Sequence, residues 1–169
     1  VDYTEVMLGA LQALGESDAP TDLALALDYR MQHLLMDEFQ DTSISQYDLI
    51  TKLTAGWELG DGRTLFVVGD PMQSIYRFRE AEVSLFSRAR TENIGNIELE
   101  SIVLCTNFRS QGGIVDWVNK TFSQIMPIRE EGISAGAVPY TSSVSIHKGL
   151  VGESVSIHPF FNGDHAAEA

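Results

Sequence analysis

The amino-acid sequence predicts an α/β fold in which one parallel sheet is covered by helices on both faces. Residues 33–36 and 64–68 are short, continuously apolar runs, typical of strands that are buried on both faces. Helical patterns precede and follow these runs, and alternation of strands with helices implies right-handed crossovers within a parallel sheet. The 44% hydrophobic fraction is sufficient for a core, which excludes wholesale disorder.

The remaining elements follow from turn and capping residues. Thr4 is predicted to cap the first helix, Gly15 to end it, and Pro20 to open a second. The predicted helices are 4–15, 21–30, 45–55, 81–90 and 111–124. The predicted strands are 33–36, 64–68 and 101–105, with weaker strand patterns at 144–147 and 155–159.

Composition excludes several classes of protein. No apolar run approaches the roughly 18–20 residues of a transmembrane helix, so we expect no membrane partner. The single cysteine, Cys105, excludes a disulfide scaffold and a cysteine-based zinc site, suits a reducing cytoplasm, and is predicted to be buried. The chain begins at Val1 without a signal-peptide pattern, and we interpret it as a piece of a longer protein.

Charge is distributed unevenly along the chain. The net charge is −13, which argues against a general nucleic-acid coat. Residues 63–90, however, contain five of the eleven basic residues and only three acidic ones. If a polyanion binds, it is predicted to contact the protein in this segment, and the alternative is a solvated helix face with a few arginines.

Polar side chains follow each predicted strand. Asp37 and Glu38 follow the first strand, Asp70 follows the second, and Arg109 lies just after the third. Ligands bind beyond the carboxyl ends of the strands in open α/β sheets, so these residues predict a magnesium and phosphate site. An apolar strand ending in adjacent acids is the Walker B arrangement, in which Asp37 would hold Mg²⁺ and Glu38 would polarise water. The alternative for this pair alone is two solvated loop carboxylates.

Three longer strings surround these residues. They are DEFQDT at 37–42, GDPMQSIYRFR at 69–79 and NFRS at 107–110. In this order and spacing they resemble motifs II, III and IV of the UvrD/Rep-type superfamily 1 DNA helicases, and the resemblance covers roughly residues 1–126. It implies a RecA-like parallel sheet of the P-loop NTPase type. Residues 1–96 would be the C-terminal part of motor domain 1A, and residues 97–169 the truncated start of motor domain 2A.

The resemblance implies a role for each matching residue. Asp37 and Glu38 would bind Mg²⁺, with Glu38 also the general base for the water that attacks the γ-phosphate of ATP. Gln73 resembles the γ-phosphate sensor of motif III. Phe108 resembles the aromatic that stacks on adenine, and Arg109 resembles an arginine finger from the second motor domain.

Other residues in the motifs have two interpretations. Tyr76, Phe78 and Arg79 resemble the motif III residues that contact single-stranded bases, because aromatic rings interleaved with arginines suit sequence-independent binding. The alternative places Tyr76 and Phe78 in the core. Gln40 and Asp41 either brace the loops of motifs II and III or bind a ligand directly. Trp117 and Phe122 are predicted to be core residues on the apolar face of their helix.

Two departures from the family pattern qualify the resemblance. Glu80 stands where UvrD and Rep continue with glycine, and the flanking residues are nearer the RecB/AddA exonuclease-helicase branch. No glycine-rich phosphate loop with its lysine (Walker A) occurs, nor do motifs V and VI. We therefore interpret the chain as the central part of a helicase motor, and we expect this part to be inactive as an isolated fragment.

The function predicted from the resemblance is ATP-dependent 3′→5′ movement on single-stranded DNA or a duplex junction, in repair or recombination, with other subunits of an exonuclease-helicase complex as expected partners. Two alternatives remain. One is a non-hydrolysing, helicase-like DNA-binding module. The other is a magnesium-dependent phosphohydrolase that uses Asp37 and Asp70, which leaves the residues from Gln73 to Arg79 unexplained.

Overall fold

The computed structural model describes residues 2–16, 18–75, 82–127 and 138–159. These residues divide into two compact units, the first ending at Ile102 and including Val138, and the second holding 103–127 and 139–159. Each unit combines helices with a two-stranded parallel sheet, which confirms the α/β class. In the described part of the chain, no helix has the length and apolar character needed to cross a membrane.

The described residues of the first unit form four α-helices, two short 3-10 helices (Phe39–Asp41 and Pro71–Gln73) and two small sheets. Asp2 caps the first helix: its carboxylate accepts from the Glu5 amide at 2.8 Å, and Glu5 accepts from the Asp2 amide at 3.1 Å. The prediction that Thr4 is the cap was wrong, because this reciprocal pair begins the helix two residues earlier. The helices are α1 (Tyr3–Leu14), α2 (Asp22–Arg30), α3 (Ile44–Leu53) and α4 (Ser84–Thr91). The strands are β1 (Gly15–Glu16), β2 (Ala19–Pro20), β3 (His33–Met36) and β4 (Thr64–Val67).

The core of the first unit lies on one face of the β3–β4 pair. The two strands are parallel, in register from His33 with Thr64 to Met36 with Val67. Alternate strand residues pack against a buried cluster from the turn after β3, from α3 and α4, and from the turn after α4: Phe39, Tyr47, Ile50, Leu85, Ala89 and Ile94. Leu35 and Phe66 point to the opposite face, where both are exposed. Within the described residues, only one face of this sheet is covered.

The second unit is built around β5 (Thr106–Gln111), α5 (Gly112–Ile125) and β6 (Val144–His147). Strand β5 pairs with β6 in parallel, with a register shift between Asn107 and Gln111. The strand pattern at 144–147 is therefore confirmed, whereas residues 155–159 form no regular element.

The predicted strand at 101–105 was wrong. Ile102, Val103 and Leu104 are exposed and lie outside any strand, and the strand begins at Thr106. An apolar run identifies a strand only when a partner covers it, and here the more polar segment that follows pairs with β6. Cys105 is exposed rather than buried.

The aromatic residues of α5 are less buried than predicted. Trp117 and Phe122 contact each other edge to face at 6.5 Å between ring centroids, yet each remains 38% exposed. Val115 is the buried residue of this helix. The core prediction for Trp117 and Phe122 was therefore wrong for the described residues.

Candidate functional site

The acidic segments after β3 and β4 meet at one end of the strand pair. Because the strands are parallel, their carboxyl ends lie at the same edge of the sheet. The pairing continues beyond both strands: the Val68 amide donates to Met36, and the Phe39 amide donates to Val68, each at 2.8 Å. Asp37 and Glu38 thus lie beside the segment that leads to Asp70 and Gln73.

Asp37 and Glu38 are both exposed at this edge. The Asp37 carboxylate accepts a hydrogen bond from the Glu38 amide at 2.9 Å. Glu38 has φ 53° and ψ 41°, and it is the only non-glycine residue with positive φ in the described part of the chain. Such a conformation costs about 1–3 kcal/mol and is concentrated at functional positions.

Gln40 joins the two acidic segments. Its side chain is buried, with Nε2 donating to Glu38 Oε2 at 2.7 Å and, more weakly, to Asp41 Oδ2 at 3.4 Å. Its Oε1 accepts from the Asp70 amide at 3.0 Å, and its backbone carbonyl accepts from the Ser74 hydroxyl at 3.3 Å. Of the two interpretations of Gln40, the structure supports the brace between the motif II and motif III loops.

Asp70 organises the second segment. Its carboxylate accepts from the Met72 amide at 3.0 Å and from the Gln73 side-chain amide at 2.7 Å. The Gln73 backbone amide also donates to the Asp70 carbonyl at 2.9 Å. Hydrogen bonds therefore run from Glu38 through Gln40 and Asp70 to Gln73, which is itself exposed.

The acidic pair fits a hydrated magnesium ion better than a cation enclosed by protein. Among the described residues, no three His, Cys, Asp or Glu side chains form a group that could hold a metal. Asp37 presents an exposed carboxylate, and Mg²⁺ keeps several waters and binds through one or two carboxylates and the phosphates of its nucleotide.

The predicted residues of motif IV lie in the second unit, on β5. Phe108 and Arg109 are exposed, and the Asn107 side chain accepts from the amides of Arg109 and Ser110 at 2.9 and 2.8 Å. His147 Nε2 bonds the Phe108 carbonyl at 2.9 Å. Within the described residues, the Arg109 guanidinium has no carboxylate partner. Tyr76, Phe78 and Arg79 lie outside the described residues.

Two arginines of the predicted polyanion segment have internal partners. Arg63 pairs with Asp28 at 2.6 Å and with Asp61 at 2.7 Å, and Arg88 pairs with Glu92 at 3.3 Å. Arg63 therefore contributes little free positive charge to the 63–90 segment, because two carboxylates pair with it. Sequence reasoning missed this cluster, although an Asp two residues before an Arg in a glycine-rich turn was a readable signal.

The sequence is similar to a known family and to several known proteins. A family model described as the UvrD/REP helicase N-terminal domain matches residues 1–93. The chain is 34% identical to an ATP-dependent helicase/nuclease subunit of Exiguobacterium sibiricum, over 94% of this chain and 13% of that protein. It is 38% identical to the corresponding helicase/nuclease subunit of Listeria welshimeri, over 75% of this chain and 10% of that protein. It is 36% identical to RecBCD enzyme subunit RecB of Escherichia coli, over 70% of this chain and 9% of that protein.

The chain spans only about a tenth of the length of these relatives. The family model nevertheless covers more than half of the chain, and its match includes both acidic segments. This chain therefore belongs to the UvrD/REP helicase family.

Proposed function

We propose that the chain is the central part of an ATP-dependent DNA helicase of the AddA/RecB exonuclease-helicase branch. The observation that carries this proposal is the hydrogen-bonded series from Glu38 through Gln40 and Asp70 to Gln73. Through this series the acidic pair of motif II and the glutamine of motif III are held close together at the strand ends. Hydrolysis of a nucleotide requires such groups to act on the same phosphate.

In this proposal each site residue has one task. The exposed Asp37 carboxylate binds Mg²⁺, and Glu38 accepts the proton of the water that attacks the γ-phosphate. Gln73 donates its amide to the γ-phosphate. Magnesium, when bound with ATP, neutralises charge on the phosphates. Phe108 stacks on adenine, and Arg109, which has no carboxylate partner among the described residues, stabilises charge in the transition state.

The proposal requires more chain than these residues provide. A phosphate loop and motifs V and VI would lie outside 1–169, with 1–96 in motor domain 1A and 97–169 in motor domain 2A. The exposed Leu35 and Phe66 support the need for more chain. Parallel RecA-like sheets are covered on both faces, so further residues would cover these two side chains. Tyr76, Phe78 and Arg79 would contact single-stranded DNA during 3′→5′ movement, in the cytoplasm and with further subunits of the complex.

The rival function is a helicase-like module that binds DNA without hydrolysing ATP. Loss of hydrolysis removes any need to hold Glu38 in a strained conformation, whereas here Glu38 keeps both its left-handed backbone and its hydrogen bond to Gln40. This observation favours hydrolysis.

The test is Glu38→Gln in the intact protein, with Glu58→Gln as the matched control. Glu58 is an exposed glutamate of the same unit, in the turn that leads to β4. We expect Glu38→Gln to keep ATP binding and to lower the rate of phosphate release about 10²–10⁴-fold, because the amide cannot accept a proton. Glu58→Gln should leave the rate unchanged. Normal turnover by the Glu38→Gln protein contradicts the proposal.

A further inference from the structure

We infer that Gln40 is a positioning residue that fixes the Glu38 carboxylate and the 70–73 segment in one arrangement, an inference that rests on the proposed function. Gln40 is only 1% exposed, although its neighbours Asp37 and Glu38 are exposed. A buried amide requires partners for both its donor and its acceptor, and Gln40 has them.

The partners fix the orientation of the amide. Nε2 lies 2.7 Å from Glu38 Oε2 and 3.4 Å from Asp41 Oδ2, whereas Oε1 lies 3.0 Å from the Asp70 amide nitrogen. The reversed orientation would place oxygen against two carboxylates and nitrogen against a donor. One side chain therefore bonds the base of motif II and the backbone of motif III, in the one orientation that satisfies both.

Glu38 needs the hydrogen bond from Gln40 because the backbone conformation of Glu38 is unfavourable. Its left-handed conformation is sterically disfavoured for a residue with a Cβ, so other contacts must hold it. The hydrogen bond from Gln40 orients the carboxylate within this turn, and the bond to Asp70 ties the turn to the segment that carries Gln73.

The chain also keeps space for this amide. A Cβ on Gly69 would lie against Gln40 Oε1 and 3.0 Å from the Phe39 nitrogen, so a larger residue at 69 would displace the Gln40 side chain. Glutamate at 40 would set a third carboxylate beside those of Glu38 and Asp41. Methionine would fill a similar volume but would leave the Asp70 amide and the Glu38 carboxylate without this partner.

The experiment is Gln40→Met in the intact protein, with Gln46→Met as the matched control. Gln46 is also a bonded glutamine, since its side chain accepts from the Ser43 amide at 2.9 Å at the start of α3, away from the strand ends. For Gln40→Met we expect kcat for ATP hydrolysis to fall about 10–100-fold with little change in KM, the usual scale when a reacting group is misplaced. Gln46→Met should lower the melting temperature and leave kcat unchanged.

Two further readouts separate positioning from a merely structural role. If Gln40 acts through Glu38, the double variant Glu38→Gln with Gln40→Met should release phosphate in a single turnover as fast as Glu38→Gln alone. Gly69→Ala, whose Cβ would lie against Gln40 Oε1, should also lower kcat with little change in KM, because it displaces the Gln40 amide from Glu38.

The outcomes are distinct. If kcat is unchanged in Gln40→Met, or its loss adds fully to that of Glu38→Gln, the inference is overturned while the proposed function stands. If Glu38→Gln turns over ATP normally, the proposed function itself fails. Should Gln40→Met not fold, Gly69→Ala decides alone: a lower kcat with an unchanged KM supports positioning, and an unchanged kcat overturns it.

Discussion

The two ends of the β3–β4 pair each depend on one side chain with several hydrogen bonds, but the chemistry of the two ends differs. At the amino end, Arg63 is a cation enclosed by Asp28, Asp61, the Gly56 carbonyl and the face of Trp57. At the carboxyl end, Gln40 is a neutral amide that holds exposed carboxylates. The first arrangement matches charge with charge, whereas the second leaves negative charge unmatched among the described residues.

The amino end is therefore built for stability, whereas the carboxyl end keeps groups that can react or bind a ligand. The Arg63 side chain is only 16% exposed, and its three nitrogens all donate hydrogen bonds at the amino end. At the other end, Glu38 is in a disfavoured backbone conformation, and Asp41 Oδ1 is buried without a partner in the described part of the chain. Unmatched acids at the carboxyl ends of strands suit binding of a cation that a nucleotide brings with it.

The largest expected effect on stability is at the amino end. Trp57 is 3% exposed, and Trp57→Ala should lower the free energy of unfolding by about 3–5 kcal/mol, the usual cost of deleting a buried aromatic side chain. Denaturant unfolding measures this loss. Trp117→Ala is the control, because Trp117 is 38% exposed and should cost less. An equal or larger loss for Trp117 would contradict the comparison.

Two glycines test how rigid each end is. At the carboxyl end, Gly69→Ala would set a Cβ against Gln40 Oε1 and the Phe39 backbone, and we expect a loss of about 1–3 kcal/mol. At the amino end, Gly56→Ala would meet the Asp28 side chain at 3.0 Å, and that half-exposed side chain can shift, so the loss should be smaller. Unfolding curves of both variants give the order. The reverse order would show that the amino end is the more rigid one.

The smallest effect concerns pH. Hydrogen bonds from the backbone amides of Glu58 and Arg63, with the Arg63 side chain, lower the pKa of Asp61 from its ordinary 3.8 to about 2. A lowered pKa means that the folded state favours the carboxylate, so this stabilisation is present above pH 3.8 and is lost as the pH falls towards 2.

Asp61→Asn should therefore have a lower melting temperature than wild type at neutral pH, and the difference should shrink between pH 3.8 and 2. Asp48→Asn, at an exposed position of α3 outside this turn, is the matched control for the change from carboxylate to amide. Melting temperatures measured across this range decide the point. A difference between wild type and Asp61→Asn that stays constant down to pH 2 would be the contrary result.

Much of the first unit could be predicted from the sequence, because its signals are local. The apolar runs of β3 and β4 were recognised as parallel strands. Helix α2 was found from the proline that precedes it, and helix α3 from its apolar spacing. The motif strings also indicated that the polar segments after β3 and β4 would meet at one edge of the sheet, as they do. The acidic pair is followed in the chain by the buried Phe39, which anchors the turn that carries it.

The rest depends on contacts that no local pattern encodes. For Gln40 the sequence left two roles open, a brace and a direct ligand, and only its bond to the amide of Asp70, thirty residues away, distinguishes them. Hydrophobicity indicated a strand at 101–105, yet the polar residues Thr106 and Asn107 found partners in Val144 and Ser145. Arg63 has one partner close in sequence, Asp61, but the other, Asp28, lies on α2, far away in sequence.

The left-handed backbone of Glu38 has a consequence for laboratory evolution. Glycine adopts this conformation without a steric penalty, so Glu38→Gly would relieve backbone strain while deleting the carboxylate. Selection of variants for heat resistance alone would therefore favour Glu38→Gly, and the selected variants would lack the proposed base. Selection for ATP turnover would instead keep glutamate at position 38. The residue found there after selection therefore shows whether stability or turnover was selected.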